Sequence, residues 1–225
     1  MKNFDKILFL DACSPIVQVG ILHENKWIGY YKSEKQALES LFEGIEKCLK
    51  MGKMEFKDIT HFAYCEGPGS LLGIRVAIMA IRAWKALKLN RNKKVYAYNS
   101  FKVSLELVRK FYNKVSPYYI VSGVRAGTWN ILSAGGGEDI FEIKEEELKK
   151  LKGDKWYFKQ RKLLPENNDL YLKEFDYNIE KCAESFIEKK WLREVLEPEA
   201  LVVEEPEYVK WDFKRHIKEN QYDIK

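Results

Sequence analysis

The sequence is poor in the residues that build disulfide frameworks and metal centres. Its 225 residues include four cysteines and three histidines. The cysteines are Cys13, Cys48, Cys65 and Cys182, and they form no C-x-x-C pair, which argues against a disulfide framework and a zinc knuckle. The histidines are His23, His61 and His216, and no His-x-x-x-His spacing presents two ring nitrogens on one helical face. We therefore predict no metal site.

Long apolar segments are also missing. No run approaches the length of a membrane span, and Asp11 falls inside what would have to be the hydrophobic stretch of a signal peptide. Hydrophobic residues make up 46% of the chain and charged residues 32%, with a formal net charge of +5. This composition supplies a core, and its small positive charge only mildly favours nucleic acid. We expect a cytoplasmic protein with lysine-rich solvated faces and no membrane partner.

Short strands are predicted in two similar groups. Residues 7–31 contain ILFLDA, IVQVGIL and KWIGYY, and residues 118–143 contain YYIVSG, TWNILSA and EDIFEI, with turn-prone segments between them. We interpret this as a faint internal repeat of two lobes, residues 1–112 and 113–225, each opening with a three-strand meander and continuing into helices. Periodicity alone indicates an α/β or α+β class.

Helical patterns and loops complete the outline. Apolar spacing predicts helices over 35–50, 71–88 and 178–196. The run Gly135-Gly136-Gly137 has no helix behind it, so we interpret it as a hairpin turn rather than a phosphate loop. The charged stretch 142–162 predicts a solvated helix and a short exposed strand without chemistry.

The most informative segment is residues 61–88, where an apolar strand runs through a turn into a nearly uncharged helix. The turn is Gly67-Pro68-Gly69-Ser70, in which Ser70 is placed to cap a helix beginning near Leu71. Helical spacing then aligns Gly73, Ala77, Ala80 and Trp84. Three of these are small, so another helix could approach closely. Because the helix is apolar on more than one side, its own sheet and a second helix or second protein must cover it.

Three motifs carry a resemblance to a known family. EGPGSLLGIRVAIMAIRAWKAL resembles the GPGSFTGVRIG segment of the TsaB (YeaZ-type) family. ILFLDACS stands where that family has a strand ending in Asp-Thr-Ser, and the segment 205–210, EPEYVK, resembles its closing Pro-x-Tyr-x-Arg. The resemblance is strong over 6–100 and loose over 140–200. It implies an α/β, two-lobed actin-like (ASKHA) ATPase fold, each lobe a mixed sheet with flanking helices.

The resemblance also implies a function. It indicates a non-catalytic partner subunit that supports a TsaD-type catalytic subunit in forming N6-threonylcarbamoyladenosine beside the anticodon of ANN-decoding tRNAs. A TsaE-type ATPase would join the complex, tRNA would be reached indirectly through the complex, and the chain alone would form a homodimer. The family's TsaB pairs with TsaD through its first two helices. The implied interface residues are Leu38, Leu41, Phe42, Ile45, Gly73, Arg75, Val76, Ala77, Ala80 and Trp84.

An actin-like phosphotransferase is the main alternative function. Such enzymes commonly use one carboxylate at the end of the first strand of each lobe. Asp11 fills the first position, with Ser14 as a further possible nucleotide contact, but Ser122 and Gly123 stand where the second carboxylate would be. Asp11 could equally cap its own turn. We therefore expect no cofactor for the chain itself, with ATP or ADP and Mg²⁺ conceivable at the level of the complex.

A peptidase remains the less favoured alternative function, because the histidine spacing of a metal site is absent.

Several individual residues have two possible roles. Cys65 is either a nucleophile activated by the following helix or, as we favour, strand packing. Arg75 either extends to solvent and loop carbonyls or makes a charge-assisted bond across an interface. Tyr208 and Trp211 either stack on a base or anchor the terminus to the core.

Overall fold

The computed structural model describes residues 6–87, 93–115, 117–137, 139–159 and 170–203. The predicted closing motif at 205–210, with Tyr208 and Trp211, lies outside these residues. None of the helices in the described ranges is long and apolar enough to cross a membrane.

The strands are β1 (Ile7–Asp11), β2 (Val17–His23), β3 (Lys26–Ser33), β4 (His61–Gly67), β5 (Lys94–Asn99), β6 (Tyr118–Arg125), β7 (Thr128–Ser133), β8 (Phe141–Lys144), β9 (Asp154–Phe158), β10 (Leu172–Phe175) and β11 (Arg193–Val195). The α-helices are α1 (Ala37–Met51), α2 (Leu71–Ala86), α3 (Ser100–Phe111), α4 (Glu145–Lys150) and α5 (Ala183–Glu188). Two 3₁₀ turns cover Phe56–Asp58 and Ile179–Cys182.

The strands form two mixed sheets. The first has the order β11-β5-β4-β1-β2-β3, in which β5, β4 and β1 are parallel and the other neighbours antiparallel. The second has the order β10-β9-β6-β7-β8, with β10, β9 and β6 parallel. Each sheet contains one of the predicted three-strand meanders, β1 to β3 or β6 to β8. The predicted fold class, two lobes that are each a mixed sheet with flanking helices, is confirmed.

Both faces of the first sheet are covered, which explains why residues 7–10 of β1 form an uninterrupted apolar run and why every residue of β1 is buried. On one face, α1 packs on β2 and β3, α2 packs on β1 and β4, and the two helices contact each other. On the other face, the Phe186 ring of α5 lies 4.7 Å from the Phe9 ring and 4.9 Å from the Tyr98 ring. The site described below lies at the carboxyl ends of β1 and β4.

Two predicted elements were wrong. The helix expected over 178–196 is a 3₁₀ turn followed by the short helix α5 and then by β11, because Lys190 adopts a positive φ of 53° and the chain then pairs with β5. The strand expected to be exposed within 142–162 is β9, which lies inside the second sheet between β6 and β10. Its residues Trp156 and Phe158 are buried, although charged residues flank them.

Other expectations of local structure hold. Gly135 to Gly137 lie in the connection between the antiparallel strands β7 and β8, which confirms the hairpin turn. The proposed division at residue 112 stays a prediction. The structure adds that β11, from the second half of the sequence, completes the first sheet, where Arg193 Nη2 lies 2.5 Å from Glu66 Oε2.

Candidate functional site

The GPGS turn is built on the loop that follows β1. The Ser70 hydroxyl accepts a hydrogen bond from the Gly73 amide at 3.4 Å, and α2 begins at Leu71, which confirms the predicted cap and helix start. The Ser70 amide donates to the Cys13 carbonyl at 2.7 Å. A Cβ added at Gly69 would lie 2.3 Å from the same carbonyl oxygen. Glycine at this position therefore allows the turn to approach the loop closely.

The small residues of α2 pack within the chain. A Cβ added at Gly73 would lie 2.0 Å from the Ala12 carbonyl oxygen, and Ala77 and Ala80 are buried. Of the two surfaces that the sequence left open for this stripe, the structure favours the chain's own sheet and loop. The prediction that Gly73, Ala77 and Ala80 contact a partner was therefore wrong, because these residues are buried inside the chain and a second protein cannot reach them.

The remaining predicted interface residues divide in the same way. Leu41 and Ile45 are buried on the inner face of α1, which corrects their prediction as interface residues, whereas Leu38 and Phe42 on the same helix are 69% and 49% exposed. Val76 and Trp84 are half-buried, and the Trp84 ring contacts the rings of Phe42, Phe56 and Phe62. In a helix packed on a sheet, the residues that face the sheet are buried and those on the other side are exposed, so apolar residues close in sequence can differ in burial.

Two exposed residues were missing from the predicted interface. Leu72 and Met79, on the outer flank of α2, are 76% and 59% exposed. Their helical spacing with Val76 is visible in the sequence, but the spacing alone does not say which flank faces solvent. We call the surface formed by Leu38, Phe42, Leu72, Val76 and Met79 the α1–α2 surface.

Arg75 lies beside this surface at a cleft between the lobes. The cleft has a volume of about 660 Å³, and Arg82 and Arg125 also line it. Arg82 donates to the Pro198 carbonyl at 2.8 Å, and Arg125 lies 3.8 Å from Glu142. Arg75 is exposed and makes no ion pair with any residue in the described ranges. Its side chain is therefore available to a partner.

Asp11 is fully engaged inside the protein. Its side chain is completely buried, and Oδ2 accepts hydrogen bonds from the Tyr98 hydroxyl at 2.7 Å and the Tyr177 hydroxyl at 2.9 Å. Oδ1 accepts from the Cys13 amide at 3.1 Å, which is the turn-capping role considered for this residue. Burial raises the pKa of Asp11, although these hydrogen bonds oppose the shift. The carboxylate has no exposed oxygen with which to hold magnesium or nucleotide.

Ser14 is also occupied locally. Its hydroxyl donates to the Ile16 carbonyl at 2.8 Å and accepts from the Ile16 amide at 3.2 Å. In the second lobe, β6 places the buried Ser122 and the neighbouring Gly123 where β1 places Asp11. The end of that strand supplies no carboxylate.

Two cysteines converge on Asp11, which sequence spacing did not reveal. The ligand atoms of Asp11, Cys13 and Cys65 all lie within 4.8 Å of one another, and all three residues are buried. They form the one potential metal-ligand cluster found in the described ranges, but both Asp11 oxygens already accept hydrogen bonds. Burial raises the pKa of both thiols, which favours packing rather than nucleophilic chemistry for Cys65.

Comparison with known proteins assigns this chain to a family. The family model for TsaD, tRNA N6-adenosine threonylcarbamoyltransferase, matches residues 32–192. No curated protein matches the chain significantly.

Two solved structures from Pseudomonas aeruginosa share the fold. YeaZ is 13% identical, with a TM-score of 0.61 over 88% of this chain and 99% of that one. An uncharacterised protein with similarity to peptidase YEAZ is 14% identical, with a TM-score of 0.60 over 89% of this chain and 100% of that one. The resemblance inferred from the sequence is thus confirmed in family and in fold, and the chain belongs to the TsaD family.

Proposed function

We propose that this protein acts in N6-threonylcarbamoyladenosine formation on ANN-decoding tRNAs as a non-catalytic partner that binds and supports a TsaD-type catalytic subunit. Membership of the TsaD family supports the connection to this modification. In this proposal the complex forms in the cytoplasm, a TsaE-type ATPase joins it, and tRNA is bound by the complex as a whole.

The observation that carries the proposal is the exposed apolar α1–α2 surface. Four large side chains of this surface, Leu38, Phe42, Leu72 and Met79, are about half exposed or more on two helices that pack side by side. Grouped exposed apolar residues of this kind mark protein interaction surfaces. The neighbouring Arg75 supplies a polar group at the edge, as protein interfaces commonly have. The same surface would bind a second copy of the chain when the catalytic subunit is absent.

The non-catalytic role is supported by the state of Asp11. Phosphoryl transfer requires charge placed around the phosphate, and Asp11 directs both of its oxygens to groups of its own chain. The second lobe offers Ser122 and Gly123 in the corresponding place. These features weigh against the phosphotransferase alternative.

Two phenylalanines provide a matched test. Phe42 on α1 and Phe141 on β8 are 49% and 48% exposed, so an aspartate at either site replaces an equally exposed ring, and thermal unfolding of each variant checks that it is folded. Mixed with a TsaD-type subunit from the same organism and followed by size-exclusion chromatography, the Phe42→Asp variant should fail to form a complex. The Phe141→Asp variant should associate like the parent. Equal association by both variants would remove the α1–α2 surface from the proposal, and no complex with the parent would refute the partner role.

A further inference from the structure

The segment that follows β11 runs along α2. The Lys85 ammonium group donates to the Leu196 carbonyl at 2.5 Å, and the Arg82 guanidinium donates to the Pro198 carbonyl at 2.8 Å. Because the helix number falls by three while the segment number rises by two, the segment and the helix run in opposite directions. The segment therefore advances toward the amino-terminal end of α2, where Leu71 is 48% exposed.

Contacts with β4 give the same direction. The Tyr64 hydroxyl donates to the Glu199 carbonyl and accepts from the Glu199 amide, both at 2.9 Å. Two residues further along each chain, the Leu201 amide donates to the Glu66 carbonyl at 2.8 Å. The segment thus follows β4 toward the carboxyl end of that strand, which leads into the GPGS turn and α2.

Residues 199–203 of this segment line the cleft between the lobes, and the same cleft contains two polar groups that lack partners. The Arg75 guanidinium makes no ion pair and no hydrogen bond with any residue that the structure describes. Asn130 on β7 has a buried Oδ1 that accepts no hydrogen bond from the described residues. An occupant that suits the cleft therefore supplies one negative charge and one hydrogen-bond donor.

The other two arginines of the cleft are already engaged. Arg82 donates to the segment itself, and Arg125 Nη2 lies 3.8 Å from Glu142 Oε2. Neither adds a free positive charge. Among the described residues that line the cleft, Arg75 is thus the one cation without a partner.

Apolar side chains line both walls of the cleft. Leu71 belongs to α2 and Val124 to β6, and they are 48% and 37% exposed. Val202, on the segment, is 65% exposed. A ring placed between the walls would remove carbon surface of both lobes from water, which favours binding.

The sequence that follows Val203 matches this chemistry. Residues 204–209 read EEPEYV, so two glutamates come directly after the last residue that lines the cleft. Two extended residues span about 7 Å, which keeps both carboxylates close to the cleft. Tyr208 is the first residue after Val203 whose side chain can donate a hydrogen bond, and its ring is largely apolar.

From these observations we propose that residues 204–209 of the chain itself occupy the cleft between the lobes. One of the two leading glutamates pairs with Arg75. The ring of Tyr208 packs between the two walls, and its hydroxyl donates to Asn130. Of the two roles considered for Tyr208, this is the anchor of the terminus, and it ties the second lobe to α2. Leu72 does not line the cleft, so the docked segment leaves it open on the α1–α2 surface.

Hydrogen–deuterium exchange of the full chain, followed by mass spectrometry, tests this proposal. The amides of residues 204–209 should exchange at least about tenfold more slowly than those of an unstructured peptide with the same sequence. Arg75→Glu, which replaces attraction by repulsion, should accelerate their exchange at least about threefold. Tyr208→Ala should bring the exchange to within about twofold of the unstructured peptide, because it removes both the ring and the hydroxyl.

Two further variants make the test specific. Lys32→Glu changes the net charge by the same amount at an exposed site on β3 outside the cleft, and it should alter the exchange of residues 204–209 less than about twofold. Combining Arg75→Glu with Glu204→Lys and Glu205→Lys reverses both sides of the pair and should restore the protection. Thermal unfolding of each variant shows whether it is folded.

Three results would overturn the proposal. The first is that residues 204–209 exchange like the unstructured peptide in the folded parent. The second is protection that Arg75→Glu and Tyr208→Ala leave unchanged. The third is protection that disappears as a dimer, followed by light scattering, dissociates on dilution, since the occupant would then be the segment of a second copy. The chain is tested alone, so these results are independent of the proposed function.

Discussion

Two residues on α2 that are close in sequence should respond in opposite ways to the same substitution. Ala77 is 1% exposed and faces the chain's own sheet, whereas Met79 is 59% exposed on the α1–α2 surface. A glutamate at Ala77 should destabilise the fold, and a glutamate at Met79 should impair association with a partner.

The expected magnitudes follow from these positions. Ala77→Glu forces extra atoms and an unpaired charge into a packed site, so the free energy of unfolding should fall by at least about 3 kcal/mol. For a chain of this size that corresponds to a decrease in melting temperature of roughly 6–12 °C. Met79→Glu should change the free energy of unfolding by less than about 0.5 kcal/mol. It should weaken association with a TsaD-type subunit by about 2 kcal/mol, or roughly thirtyfold in Kd.

Thermal unfolding followed by circular dichroism and titration calorimetry with the TsaD-type subunit measure the two effects separately. Met79→Leu is the control, because it keeps the apolar character and should retain both stability and affinity. A stable Ala77→Glu protein would show that the stripe is not packed internally. A Met79→Glu protein with the parent's affinity would show that the interface lies elsewhere.

Burial acts to raise the pKa of Glu106, but the hydrogen bonds from Arg109, Lys189 and Lys110 outweigh it and lower the pKa to about 2. Glu106 should therefore stabilise the fold fully above pH 4.5 and lose that contribution as the pH falls toward its folded-state pKa of about 2, so the stability difference between parent and Glu106→Gln should shrink over this range in acid unfolding. The purified chain should hydrolyse ATP no faster than its Asp11→Ala variant, and a magnesium-dependent turnover abolished by that change would contradict the non-catalytic role. Binding of tRNA by the chain alone should be weak and largely lost near physiological salt in filter-binding assays, whereas nanomolar affinity there would contradict this. All four cysteines are buried, so a thiol reagent should label them slowly in the native protein and completely in urea, and rapid labelling of native protein would contradict their placement.

Local pattern was sufficient to predict much of the first lobe. The alternation of apolar runs and turn residues locates β1 to β3, and the capping serine locates the start of α2. By contrast, β11 is a strand only because it pairs with β5, and the sequence of residues Arg193 to Val195 gives no sign of this pairing. The interior position of β9 was missed because its charged neighbours suggested a surface strand. One of them, Lys155, is buried because its ammonium group donates a hydrogen bond to the Leu151 carbonyl at 2.8 Å.

The candidate site was predictable in composition but not in assembly. Helical spacing identified the face of α2 that carries small residues. Such a face can pack against a helix of another protein or against a loop of its own chain, and only the structure shows that the Ala12 carbonyl lies next to Gly73. The surroundings of Asp11 come from Cys65, Tyr98 and Tyr177, which are far apart in sequence. Tyrosines at those positions carry no sequence signal for a shared carboxylate, so the burial of Asp11 had to come from the structure.

The late position of β11 in the chain has a consequence for synthesis on the ribosome. When β5 emerges, the strand that will lie beside it has not yet been translated, and Tyr177, which donates to Asp11, is also missing. The nascent first lobe therefore carries an open strand edge, which can pair with other chains, and an incompletely hydrogen-bonded buried carboxyl. Its folding is completed only after residue 195 has left the exit tunnel, so ribosome pausing within the second half would prolong a state prone to aggregation.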